Sequence, residues 1–261
     1  MHSIKSAFFS IALFILFFTS CKKDNSSLYN ANIKGDLSVE FDNIAGSSDL
    51  QLNTGSYTNS SGETFAVTKL KYYVSNFVFT KTDGTIYTVP QDSSYFLVDE
   101  SDGTEHAPIL HVPEGEYKAV SFIVGVDSLR STMDISMRTG ALNPTSGGDM
   151  YWGSDSGYIF LNMEGTSAAS ANGEFMYHIG GYSSSTINNI KTVNLDLTAR
   201  GVPQVKASKE TNIHLLVDIL KLFDGSTKLS IAEHPTVMFD AYSTIIANNY
   251  TAMFRHDHTE N

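Results

Sequence analysis

The stretch that decides the fold is Leu70 to Val89, LKYYVSNFVFTKTDGTIYTV. Leu70 to Thr80 is long, β-branched and aromatic, Thr82-Asp83-Gly84-Thr85 is a turn by composition, and Ile86 to Val89 resumes the strand pattern. Two such runs around an Asp-Gly turn predict a β-hairpin. The same period-two signal recurs on either side. Upstream, Leu37, Val39 and Phe41 form one face; downstream come Tyr95 to Val98, the turn Pro113-Glu114-Gly115-Glu116, Tyr117 to Val126, Tyr158 to Glu164, Phe175 to Ile179, Ile190 to Leu197 and Ile213 to Val217. Roughly nine or ten strands with few helices predict an all-β domain, an antiparallel Greek-key-like β-sandwich or barrel. The one segment with helical spacing is Ala241 to Phe254, a short C-terminal helix with Asp240 as its N-cap.

The periodicity fails between Asp127 and Gly157, where Gly140, Pro144, Gly147, Gly148 and Gly153 accumulate. A loop of that length inside a compact domain is expected to be functional or mobile. The 261 residues, 41% hydrophobic and 17% charged, otherwise read as a globular chain, long enough to bury a core without disulfides. With 17 basic against 28 acidic residues, the net charge of -11 and the lack of a basic cluster beyond Lys22-Lys23 argue against nucleic-acid binding.

Met1 to Ser20 has a lone Lys5 and an apolar run from Ala7 to Phe18, the pattern of a secretory signal segment. Cys21 follows at once and is the single cysteine of the chain. Phe18-Thr19-Ser20-Cys21 resembles a bacterial lipobox, which implies cleavage before Cys21 and lipidation of that residue. Lys22 to Ser27 resembles the charged segment after the lipidated Cys in surface-exported lipoproteins of Gram-negative outer membranes. It implies residence at the outer membrane or cell surface, with a periplasm-facing placement as the alternative. The organisation expected is a lipoprotein signal peptide over 1–20, the lipidated Cys and a polar tether over 21–35, and the β domain over 36–261. Lipidation leaves no free thiol, so thiolate metal sites and cysteine nucleophiles drop out.

The familiar enzyme motifs are absent. Gly153-Ser154-Asp155-Ser156-Gly157 has Asp where a nucleophile elbow needs Ser, and Val98 stands where the acidic run before Gly103 would need Asp for an EF-hand loop. No turnover is expected of this chain. Of the histidines His106, His111, His178, His214, His234, His256 and His258, two positions stand out. His178 in FMYHIGG shares a strand face with Met176 while Phe175, Tyr177 and Ile179 occupy the other, and neutral imidazole beside thioether suits copper. His256-Asp257-His258 offers two imidazoles at i, i+2, although chain ends tend to fray. Trp152 is the sole Trp.

Read in order, YYVSNF (72–77), VPEGEYKAVSFIVGVDS (112–128), GALNP (140–144), MYWGSDSGYIFLNMEG (150–165), FMYHIGGY (175–182) and NNYTAMF (248–254) resemble the MbnP-like family. These are extracytoplasmic proteins named for a methanobactin-associated copper-binding member, and the resemblance runs from about Leu37 to His258. It implies an all-β domain whose best-understood members bind copper through histidine and a kynurenine, made from Trp by a dihaem peroxidase-like partner enzyme. Carried onto this sequence, Trp152 is the modified residue and His178 a ligand. Ser154 stands where many relatives have a second Trp. His256 or His258, brought back by the preceding helix, is the expected second imidazole. The reading expected is a lipid-anchored copper-binding protein that captures or stores metal. The alternative is a surface module for a glycan or peptide ligand, using Tyr151, Trp152 and Tyr158 as an exposed aromatic platform. A third, weaker reading is a structural component of an outer-membrane assembly.

Overall fold

The computed structural model describes residues 29–103, 106–145, 148–153, 156–183 and 187–261. The signal segment, Cys21, Ser154 and Asp155 lie outside the described residues. The strands are β1 (Lys34–Ala45), β2 (Thr64–Lys81), β3 (Ile86–Thr88), β4 (Tyr95–Asp99), β5 (Ile109–Pro113), β6 (Gly115–Val124), β7 (Tyr151–Gly153), β8 (Gly157–Ser167), β9 (Glu174–Gly180), β10 (Lys191–Asp196), β11 (Thr211–Asp218) and β12 (Phe254–Glu260), with a few two-residue pairings besides. Among the helices, α1 is Ser128–Thr132, α2 is Leu220–Phe223 and α3 is Ser243–Tyr250. The all-β class expected from the period-two runs is what the chain adopts, as two curled sheets packed face to face.

The hairpin forms where the Asp-Gly turn placed it. Lys81 and Thr85 close it through Lys81 N–H to Thr85 O at 2.8 Å, and Gly84 takes φ 92°, a value that favours glycine. β2 is the spine of the larger sheet, which runs β10-β6-β2-β8-β9, with β3 and β4 also paired to β2. Its register slips between Ser75 and Val78, where Asn76 takes φ 55°. The bend there is fastened by Asn76 Nδ2 to Asp127 Oδ2 at 3.0 Å and by Phe77 N–H to Ser94 Oγ at 2.8 Å. The smaller sheet runs β12-β11-β1, with β5 on the far side of β1. β1 and β11 pair in parallel from Leu37/Thr211 to Ile44/Asp218, a departure from the antiparallel pattern expected. Parallel neighbours need a long crossover, and here the main strands of the larger sheet, β2 to β4, β6 and β8 to β10, lie between them in the sequence.

Alternation explains the core. Leu37, Val39 and Phe41 of β1 and Ile213, Leu215 and Val217 of β11 point inward and are fully buried. They meet Tyr72, Phe77, Phe79 and Phe122 of the larger sheet in one hydrophobic cluster. Phe41 lies edge-on to Tyr72, Phe122 and Phe254, with centroids 5.6–6.3 Å apart, and edge-to-face pairs add about 0.5–1.5 kcal/mol each beyond area burial.

Helix α3 is shorter than the periodicity suggested. It spans Ser243–Tyr250, a 3-10 turn covers Thr251–Met253, and Phe254 already belongs to β12. The Phe254 ring is drawn into the aromatic cluster, which an extended chain reaches and another helical turn would not. Asp240 receives the amides of Tyr242 and Ser243 at 2.8 and 3.0 Å, as a capping carboxylate does. The described residues between Asp127 and Gly157 form more structure than their composition suggests. They fold over the outer face of the larger sheet through α1 and two 3-10 turns, burying Leu142 and Met150 against Tyr73, Tyr158 and Phe160. Arg138 holds them: its guanidinium donates to the carbonyls of Ser131 and Met133 and lies over the rings of Tyr151 and Tyr158.

Candidate metal centre

The face of β9 opposite the core carries Met176 and His178, both half-buried, while Phe175, Tyr177 and Ile179 fill the interior as their alternation required. His178 stands opposite Asn162 of β8. Its Nε2 lies 2.8 Å from Glu164 Oε1. That carboxylate also accepts from Lys69 Nζ at 3.1 Å, and Lys69 reaches Asp149 Oδ2 at 2.7 Å. Lys71 continues the row, 3.4 Å from Asp149 Oδ1 and 3.0 Å from Asp99 Oδ2. Burial would raise the Glu164 pKa, but the hydrogen bonds from His178 and Lys69 outweigh it and hold the carboxyl below its usual range. Asp149 is held low in the same way, by Lys69 and Lys71 against burial.

This row fixes the imidazole. Glu164 on Nε2 sets the ring orientation and leaves Nδ1 as the nitrogen for a metal, the arrangement in which an outer carboxylate orients a ligating histidine. Beside it, Asn162 is fully buried and its Oδ1 has no hydrogen-bond partner. Unpaired buried polar atoms are uncommon and call for an explanation.

Trp152 lies on β7, which pairs antiparallel with β8. Its six-membered ring is seated over Gly180 at the end of β9: a Cβ placed on Gly180 would lie 2.7 Å from Trp152 Cζ3 and 2.6 Å from the carbonyl oxygen of Tyr158. Only a residue without Cβ leaves that space open. Gly180 is two residues from His178 on one strand face, about 6.6 Å along the strand. Phe239 lies edge-on to the indole, 6.2 Å between ring centroids. The structure therefore brings His178, Met176 and Trp152 onto one face.

His256 and His258 are elsewhere. Both lie on β12 in the smaller sheet, so the helix before them does not return them to His178. The C-terminus is also not frayed, because β12 pairs with β11 from Asn212/Glu260 to Val217/Phe254. His256 is opposite Leu215, with Nε2 3.0 Å from Thr259 Oγ1 and Nδ1 buried without a partner, and burial lowers its pKa. His258 instead meets His214 and Asp257, the one group of three His, Cys, Asp or Glu among the described residues with donor atoms all within 4.8 Å. His214 was not singled out from the sequence, because the strand pairing that matters joins segments more than forty residues apart. The outward-facing position of His214 within Ile213 to Val217 was the available signal.

Of the expected aromatic platform, Tyr151 and Trp152 are half-buried and Tyr158 is not exposed. Tyr158 is fully buried, with its hydroxyl donating to Leu142 O at 2.5 Å, and Tyr151 packs on it at 5.0 Å between centroids. No helix among the described residues is long and apolar enough to cross a membrane.

Residues 34–239 match the family model described as MbnP. Among solved structures, MbnP from Methylosinus trichosporium is similar in fold, with a TM-score of 0.53 and 15% identity over 80% of this chain and 82% of that one. No curated protein matches the chain.

Proposed function

The chain belongs to the MbnP family, and on that premise we propose that it binds copper on the face of β9 that carries Met176 and His178. The observation that carries this reading is the seat of Trp152 over Gly180, beside His178 on the same strand. The donor set fits. An oriented imidazole and a thioether suit copper, Cu(I) above all, and the unpaired buried Asn162 oxygen offers a further polar contact. Unmodified indole offers a metal no lone pair, whereas a kynurenine at 152 would add a ketone oxygen and an arylamine. The protein's own part is to hold the imidazole through Glu164 and Lys69 and to set Phe239 edge-on to the indole.

The chain acts by capture or storage, without turnover of its own. A dihaem peroxidase-like enzyme is the proposed partner that oxidises Trp152. Lipidation at Cys21 would hold the protein at the outer membrane or cell surface, since several acyl chains anchor stably where one does not. The experiment is to purify the protein from a host expressing its neighbouring enzymes, measure copper, and examine the Trp152 peptide for replacement of one carbon by one oxygen. An unmodified Trp152 together with copper-free protein would refute the reading. The glycan or peptide alternative loses Tyr158, which is buried, and keeps only the half-buried Tyr151 and Trp152.

A further inference from the structure

The outer face of the smaller sheet carries a second cluster, separate from His178. Glu40 on β1, His214 on β11 and His258 on β12 stand in one row, since Glu40 is paired with His214 and His214 with His258. Their neighbours Val39, Phe41, Ile213 and Leu215 point into the core, so alternation sends this row outward. The register slips beside it: His256 faces Leu215 and His258 faces His214, which leaves Asp257 as an extra residue on β12. A bulge of this kind re-aims the inserted side chain. Asp257 accordingly turns to the side of both imidazoles, its Oδ2 lying 2.9 Å from His258 Nδ1 and 3.7 Å from His214 Nδ1. The two rings are 4.7 Å apart, centroid to centroid.

We propose that His214, Asp257 and His258 form a binding site for a divalent cation of the zinc and cobalt class, each residue supplying one ligand atom. At metal–ligand distances of about 2.0–2.1 Å, two ligands of a tetrahedral ion lie about 3.4 Å apart, and the separations of 2.9 and 3.7 Å bracket that value. His214 Nδ1 is buried and has no hydrogen-bond partner. Carboxylates also flank the far side of both imidazoles. His214 Nε2 faces Asp42 Oδ2 at 3.6 Å and Glu40 Oε1 at 3.9 Å, and His258 Nε2 faces Glu260 Oε1 at 3.5 Å. Both imidazoles thus direct Nδ1 toward Asp257, while carboxylates lie 3.5–3.9 Å from their Nε2 atoms and favour a proton there electrostatically, without a direct hydrogen bond. Arg255 approaches the other oxygen of Asp257 at 3.9 Å, leaving Oδ2 for the ion.

Two imidazoles and a carboxylate, with no sulfur, select a borderline divalent ion over Cu(I). Three protein ligands leave a fourth position for water or a small anion. Of the site's three ligands, His214 lies within the family match over residues 34–239, and Asp257 and His258 lie beyond its end. The site does not rest on the copper reading.

The test is to titrate the full-length chain in detergent with Co2+, following visible absorption. Wild type should take up one Co2+ per chain with the intense bands of a four-coordinate ion, and Zn2+ should displace it. His258→Gln and Asp257→Asn should each weaken Co2+ binding at least tenfold, and His178→Ala should leave it unchanged. The His258 side chain is 45% exposed, so its replacement spares the core. Equal Co2+ affinity in wild type and His258→Gln, no Co2+ uptake by wild type, or loss confined to His178→Ala would each overturn the proposal. Failure of copper binding at His178 with Co2+ retained here would count against the copper site alone.

Discussion

Replacing Gly180 by Ala tests the contact that ties Trp152 to the strand of His178. The backbone of Gly180 is not in the left-handed region, so an Ala there has no torsional cost and only the space matters. The added methyl would lie 2.7 Å from Trp152 Cζ3 and 2.6 Å from the Tyr158 carbonyl oxygen. The indole can swing, but the carbonyl belongs to β8, and a contact that short with backbone forces the strand to move. Overpacking of this sort costs about 1–3 kcal/mol. For a domain of this size each kcal/mol lowers the melting temperature by roughly 2–4 °C, so the expected fall is between about 2 and 12 °C. Because Trp152 is the sole Trp, its fluorescence reports the same event without interference. Emission should shift to the red as the ring is pushed from Gly180 and Phe239 toward water, and copper uptake should weaken with it. A variant with wild-type melting temperature and unchanged emission would refute the packing of the Trp152 ring against Gly180 of β9.

Glu63 accepts from Asn59 Nδ2, Ser230 Oγ and the amides of Ile231 and Ala232 at 2.7–3.0 Å. Burial would raise its pKa, yet those four bonds hold it below the reference value of 4.5. Its contribution to stability is therefore present above that value and lost as pH falls through the lower folded one. The urea midpoint should drop between about pH 5 and pH 3, and Glu63→Gln should flatten that drop; an equally steep drop in the variant would remove Glu63 from the account. Tyr72 donates its hydroxyl to Asn43 Oδ1 at 2.8 Å in a fully buried position. Tyr72→Phe strands that oxygen at a cost of about 1–3 kcal/mol, measured by urea unfolding, and a neutral result would show that the bond is dispensable. Cys21→Ala should abolish detergent-phase partitioning by releasing soluble protein or stalling the precursor, and unchanged partitioning would contradict the lipid anchor.

Much of the fold was legible because alternation alone assigns faces. Leu37, Val39 and Phe41 are fully buried, and Phe175, Tyr177 and Ile179 nearly so, as a period of two requires. The turn at Asp83-Gly84 was legible for a different reason, since glycine there adopts a conformation disfavoured for other residues. Register and pairing partner were not legible. Nothing local in Ile213 to Val217 specifies a parallel neighbour at the opposite end of the sequence, and the end of α3 depends on where the Phe254 ring packs.

The site shows the same division. Met176 and His178 fall on one face by strand geometry, and the structure agrees. Glu164 and Lys69, which orient the imidazole, come from two other strands and are set by cross-strand register. At i, i+2 spacing, His256 and His258 would share one side of a regular strand. The bulge at Asp257 breaks that geometry: His258 joins His214 while His256 turns to Thr259.

The central claim is that copper binds on the β9 face through His178. Its most direct test is copper per chain for wild type and His178→Ala, each purified from the host that supplies the neighbouring enzymes, with folding checked by circular dichroism. The account predicts one copper on the wild-type chain at this face and its loss from a folded His178→Ala protein. Wild-type copper stoichiometry in that variant would contradict it.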